Sequence, residues 1–148
     1  MTLTDAEVRF LVRQPRGHLA TLGPNGTPQV KPLGFVYNPT LGTIDITGFN
    51  MAASAKYRNV QANPSVAFVV DEVTEATMEG AHFLEIRGVA ETAVGTHDPR
   101  GHLAPEIIRV HPRRIISFNV DPAHPGFETR GVASARDMAS VDPRIEAV

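Results

Sequence analysis

The residues best suited to chemistry lie in one stretch, Asn50-Met51-Ala52-Ala53-Ser54-Ala55-Lys56-Tyr57-Arg58-Asn59-Val60-Gln61-Ala62-Asn63-Pro64. Ser54 has the type and place of a helix N-cap, whose hydroxyl accepts a backbone N–H from the first turn. The leading N–H groups of a helix have no partner within it, and the helix dipole puts partial positive charge there. Such a point attracts anions. Lys56 and Arg58 follow at once. Two cations at a helix start oppose the dipole unless an anion lies between them, and a phosphate group would resolve that conflict. The ordinary alternative is an amphipathic helix with solvated Lys and Arg, and this window alone does not decide between the two.

Other chemistries find little support. There is no cysteine, so disulfides, thiolate metal sites and Cys nucleophiles are excluded. His18, His82, His97, His102, His111 and His124 are scattered, without the i, i+4 helical spacing of a metal pair, and no metal site is expected. Ser54, Ser65, Ser117 and Ser134 sit in no Gly-x-Ser-x-Gly elbow. No glycine-rich dinucleotide fingerprint follows a strand.

The 148 residues are the usual size of one domain, with a core expected over about 5–120 and a tail over 121–148. Apolar content of 42% and charged content of 20% are globular values. A formal net charge of -2 gives no general polycation for nucleic acid or an anionic membrane. No apolar run approaches a membrane span, and Met1 to Asp5 carries neither the basic nor the apolar part of a secretory signal. A cytoplasmic protein is expected.

The elements that must position the stretch are mostly strands. Thr4-Asp5-Ala6-Glu7 is a capping box, followed by Val8, Leu11 and Val12 at helical spacing. Residues 17–23 read as a short strand, and Pro24-Asn25-Gly26-Thr27 as a hairpin turn, because Asn-Gly tolerates positive φ. A second strand is expected from Pro28 to about Tyr37, and a third from Thr43 to Phe49. Asn63-Pro64 stops the helix, and residues 65–71 form a buried strand. Phe83 to Val94 alternates, with Leu84, Ile86, Gly88 and Ala90 on one face. Residues 107–110 and 114–120 read as two further strands separated at Pro112. The whole is mainly β: one mostly antiparallel sheet of about six strands with one or two short helices, as in a barrel or rolled sheet.

In this order, the residues resemble the pyridoxamine 5'-phosphate oxidase-like split β-barrel (FMN-binding-like) proteins. Within them the chain is most similar to the actinobacterial branch that uses the deazaflavin coenzyme F420. The resemblance spans roughly residues 5–120. It rests on Gly17-His18-Leu19-Ala20-Thr21-Leu22 with Gly26-Thr27-Pro28-Gln29-Val30, on Lys56-Tyr57-Arg58-Asn59-Val60 leading to Asn63-Pro64-Ser65-Val66, and on Leu84-Glu85-Ile86-Arg87-Gly88-Val89-Ala90. Residues 130–137, from Arg130 to Asp137, look like a subgroup that includes reductases of polycyclic natural products.

The resemblance implies a homodimer with cofactor sites at the subunit interface. By position, Lys56, Ser54 and the N–H groups near Ala55 would hold the cofactor phosphate, with Arg58 as a second cation. Gln29-Val30-Lys31-Pro32 would lie along the ring system, Thr47 and Gly48 would be close, and Arg87 would reach in from the same or the partner chain. The implied chemistry fits what the sequence lacks, since the cofactor carries hydride transfer and the protein supplies position and electrostatics. F420, with its phosphodiester and acidic tail, would favour extra cations at the mouth, for which Lys31, Arg58, Arg87, Arg113 and Arg114 are available. Most such residues are simply exposed. Tyr57, His18 or solvent could supply a proton. Phe35, Tyr37 and Phe49 could line the substrate side or pack the sheet. Three readings stay open: an F420-dependent oxidoreductase acting on a conjugated organic substrate, an FMN-dependent oxidase or reductase of the same fold, and a non-enzymatic cofactor- or haem-binding protein.

Overall fold

The computed structural model describes residues 2–95 and 101–133. Helix α1 (Asp5–Val12) starts at a reciprocal capping box: Glu7 N–H donates to Thr4 Oγ1 (3.2 Å) and Thr4 N–H to Glu7 Oε1 (2.8 Å). Its apolar face buries Phe10 and Leu11. Strands β1 (Gly17–Leu22) and β2 (Pro28–Leu33) form the expected hairpin, with Asn25 and Gly26 at φ 64° and 74° in the turn. Next come β3 (Phe35–Asn38), β4 (Thr43–Ile46), a 3-10 turn at Met51–Ala53, and helix α2 (Ala55–Ala62). Strands β5 (Ser65–Val73), β6 (Ala81–Val94), β7 (Glu106–Phe118) and β8 (Phe127–Gly131) follow among the described residues.

All eight strands join one antiparallel sheet in the order β2-β1-β5-β6-β7-β4-β3, with β8 also on β7. Strands β2 and β3 thus lie at opposite ends of the path, yet only Gly34 separates them in sequence. Two consecutive Cα steps reach at most about 7.6 Å. The sheet must therefore curl until its two ends meet at Gly34, whose carbonyl accepts Thr47 N–H (3.2 Å). This is a curled half-barrel, the split β-barrel fold.

One rung shows what holds the curl. Leu19, Phe68, Ile86 and Ile115 are successive register partners across β1, β5, β6 and β7. All are at most 2% exposed, and burying each stabilises the fold by about 1.5–3 kcal/mol. Phe68 also meets Phe35 edge-on at 5.1 Å, packing β5 against β3 across the barrel. A Cβ on Gly17 would lie 2.3 Å from the Phe68 ring, so glycine is required there. On the other side, Arg109 of β7 forks onto Asp45 of β4 (3.0 and 3.1 Å). Burial pushes the Asp45 carboxyl up, but hydrogen bonds from Arg109, Asn38 and Thr43 outweigh it and hold the group below the ordinary carboxylate range.

Four expectations change. The strand expected from Pro28 to Tyr37 is two strands, because Gly34 turns the corner of the barrel. The strand expected from Thr43 to Phe49 ends at Ile46, where Thr47 turns to bond Gly34. The strands expected on either side of Pro112 are one strand, β7. Pro112 is accommodated because the β6–β7 register shifts between Arg87 and Gly88, at the point where it faces Gly88. Finally, the tail beyond residue 121 contains β8, whose Arg130 donates to the buried Glu7 carboxylate (2.7 Å to Oε2) and to the Thr2 carbonyl (2.9 Å). These bonds fasten β8 to the start of α1.

Candidate active site

Sheet register decides which way each candidate side chain points. Residues directly opposite in an antiparallel pair share a face. Gln29 and Lys31 pair with Thr21 and Leu19, so both project to the inner side of the sheet. Val30 and Pro32 pair with Ala20 and His18 and project outward. Strand β2 is an edge strand, and its residues from Pro28 to Pro32 are all exposed. Its free side presents unpaired backbone groups.

Helix α2 packs against β1 and β6 and meets β2 on that inner side. Ser54 is its N-cap: the hydroxyl accepts Tyr57 N–H (3.3 Å) and donates its one proton to the Met51 carbonyl (2.6 Å). The Ala55 and Lys56 amides, at the first two helical positions, have no acceptor among the described residues. Lys56 is half-buried. Burial lowers its amine below the ordinary lysine range, and the positive charge of Lys31 lowers it further. Neither lysine has a carboxylate partner among the described residues. The Asn59–Gln29 hydrogen bond (2.9 Å) ties the β2 face that carries Lys31 to the helix that carries Lys56, so two cations stand on facing elements near free N–H groups, with no carboxylate paired to either among the described residues. An anionic group between the amines would offset both the burial and the repulsion.

The other candidates divide. Arg58 turns back and donates to the Ala53 carbonyl (2.8 Å), so it helps hold the entry to α2. Thr47 and Gly48 follow β4, and the Gly48 carbonyl accepts Ala104 N–H (2.8 Å), tying the segment before β7 to the end of β4. Arg87 pairs in register with Ala67, on the outer face, and binds Glu85 at 2.7 Å. Within one chain it does not join the two lysines. His18 is also on the outer face, whereas Tyr57 packs against the core. Phe35 and Tyr37 are packing residues, while Phe49, three residues beyond β4, is 78% exposed. His97 and residues 134–137 lie outside the described residues.

Sequence reasoning missed one feature of the site. Asn59, one turn after Lys56, is buried and donates to Gln29 Oε1 (2.9 Å) and Thr21 Oγ1 (3.0 Å). A polar residue at a core-facing helix position was the available signal. Among the described residues no group of three or more His, Asp or Glu could hold a metal, and no helix is long and apolar enough to cross a membrane.

Comparison with known proteins identifies the family and agrees with the fold. The model of the pyridoxamine 5'-phosphate oxidase family matches residues 3–124. The chain is 40% identical over 143 residues to the 5a,11a-dehydrotetracycline/5a,11a-dehydrooxytetracycline reductase of Streptomyces rimosus, covering 96% of this chain and 97% of that one. Among solved structures it is similar to an F420 reductase, at 28% identity and a TM-score of 0.52, over 70% of this chain and 91% of that one. It shares its fold with the conserved hypothetical protein Rv2991 of Mycobacterium tuberculosis, at 20% identity and a TM-score of 0.64, over 90% and 94% of the two chains. The chain belongs to the pyridoxamine 5'-phosphate oxidase family.

Proposed function

We propose that this protein is a reductase that uses reduced F420 to deliver a hydride to a conjugated, fused-ring organic substrate. What supports the cofactor half is that Lys56, half-buried beside the free amides of Ala55 and Lys56, and Lys31, on the β2 face that Asn59 ties to α2, have no carboxylate partner among the described residues. A cofactor that ends in phosphate fits this donor set. Both amines and both amides can face it, while Ser54 holds the helix start in place and Arg58 braces it. The free edge of β2, from Gln29 to Pro32, offers backbone groups to the polar rim of a ring system. Once bound, the deazaflavin supplies the hydride, and the chain's residues bind its anionic end and orient its ring.

Oxidoreductase activity and the substrate class rest on the Streptomyces reductase, which matches nearly end to end. Its substrates are dehydrotetracyclines, and a related unsaturated polycycle is the natural substrate to test here. The F420 reductase neighbour favours F420 over FMN, whose phosphate would suit the same lysines.

The proposed active form is a homodimer. The outer face of β2, β1, β5 and β6 carries His18, Ala20, Val30, Ala67, Val69 and Phe83 around a shallow depression of about 200 Å³. Val30 is 62% exposed there, and the partner's copy of this face would cover it. Arg87 stands on the same face, where the partner's site could use it.

The direct test is turnover. Reduced F420 is mixed with the protein and a panel of unsaturated polycyclic ketones, and reoxidation is followed by the cofactor's own absorbance. Protein-dependent reoxidation with stoichiometric substrate reduction is expected. Turnover with reduced FMN but not with reduced F420 would move the protein to the flavin branch.

A further inference from the structure

We propose that Asn59 is the positioning residue of this site: by tying Gln29 to α2, it holds Lys31 beside Lys56. The proposal rests on the reading of the two lysines as an anion site. On α2, Asn59 follows Lys56 by three residues and therefore lies on the same face one turn along. On β2, Gln29 precedes Lys31 by two residues and shares its face. The Asn59–Gln29 and Lys56–Lys31 pairs are thus successive rungs between one helix and one strand. The first rung is attractive and the second repulsive.

That arrangement matters because β2 is an edge strand. Among the described residues β1 is its one strand neighbour and the Gly34 corner anchors one end, while the like charges of Lys31 and Lys56 act against its approach to α2. Asn59 opposes this with both protons of one amide, donating 2.9 Å to Gln29 and 3.0 Å to Thr21. Thr21 is Gln29's register partner, so one side chain pins both strands of the hairpin. The chain also leaves room for the clamp: a Cβ on Gly23 would lie 2.4 Å from Gln29 Nε2. A carboxylate at position 59 could not replace the amide. It would donate to neither Gln29 nor Thr21, both of which would have to reorient and donate to it instead, and its single charge would offset one of the two cations.

The test reads the lysines directly in cofactor-free protein. The Lys56 ammonium is titrated by NMR of labelled lysine side chains in the wild type, Lys31→Ala, Gln29→Met, Asn59→Leu and the doubles with Lys31→Ala. Removing Lys31 should raise the Lys56 pKa. Gln29→Met and Asn59→Leu should each raise it comparably, and adding Lys31→Ala to either should change little more. A general loss of stability would lower the melting temperature without producing this shared shift. Gln29→Met alters only an exposed side chain, so it keeps the test intact if Asn59→Leu does not fold. An unchanged Lys56 pKa in Gln29→Met, or in Lys31→Ala itself, would overturn the proposal. Since no cofactor is present, failure of F420 to bind would count against the ligand assignment and leave the clamp standing.

Discussion

Replacing Lys56 with alanine should weaken cofactor binding and leave the empty protein as stable as before, or more so. In the folded state Lys56 is half-buried and feels the charge of Lys31, so it holds its proton less tightly than in the unfolded chain. Its charge therefore opposes folding at neutral pH. That cost fades as the pH rises through the lowered value towards the ordinary 10.5. Truncation removes the cost and breaks no ion pair among the described residues. In the loaded protein the balance reverses, because a charge-assisted contact to phosphate is lost. Such a contact is worth about 1.5–3 kcal/mol, a roughly 10- to 150-fold rise in Kd. Titration by quenching of cofactor fluorescence gives the affinity. Thermal melts with and without cofactor give the stability, and the ligand-induced rise in Tm should shrink with the affinity. A Kd within twofold of wild type would refute the assignment of Lys56 to the anion site. A fall of several degrees in the cofactor-free Tm would show instead that Lys56 is structural.

Three further outcomes test the scaffold. Asp45→Ala strands Arg109 between β4 and β7 and should cost about 3 kcal/mol, the low end for breaking a buried pair, read from the denaturation midpoint. Because the Asp45 pKa is depressed, this contribution should be present above pH 3.8 and disappear as the pH falls through the folded-state value. Gly88→Ala places a Cβ 2.1 Å from the His111 carbonyl oxygen at the β6–β7 bulge, and should lower stability by about 2 kcal/mol or more by the same measurement. In light scattering the wild type should weigh twice the 16.0 kDa of one chain, and Val30→Glu, which puts a charge at the exposed apolar position of β2 on the outer face, should shift it to the monomer.

The parts legible in sequence were those set by neighbouring residues. The Thr4–Glu7 capping box, the Asn25-Gly26 turn, the Ser54 cap and the inward face of β6 each follow from contacts within a few positions, and each stands in the structure. The misread elements depend on partners far away. Leu33 and Phe35 continue an apolar pattern through Gly34, so nothing local shows that the chain passes from one end of the sheet to the other. Pro112 looks like a strand breaker until Gly88 stands opposite it with a shifted register. Strand β8 is short and mostly exposed, and it exists because β7 offers it a ladder. The site divides in the same way. Lys56 could be singled out from its helix, but its pairing with Lys31 depends on sheet register and on how α2 packs, and the Asn59 clamp comes from the same tertiary contact.

The most direct measurement is a paired titration of cofactor-free protein with F420 and with FMN under identical ionic conditions. Tighter binding of F420, weakened by Lys56→Ala and by Lys31→Ala, is the expected result. Tighter binding of FMN, or F420 binding that ignores both substitutions, would contradict a deazaflavin held by the two lysines.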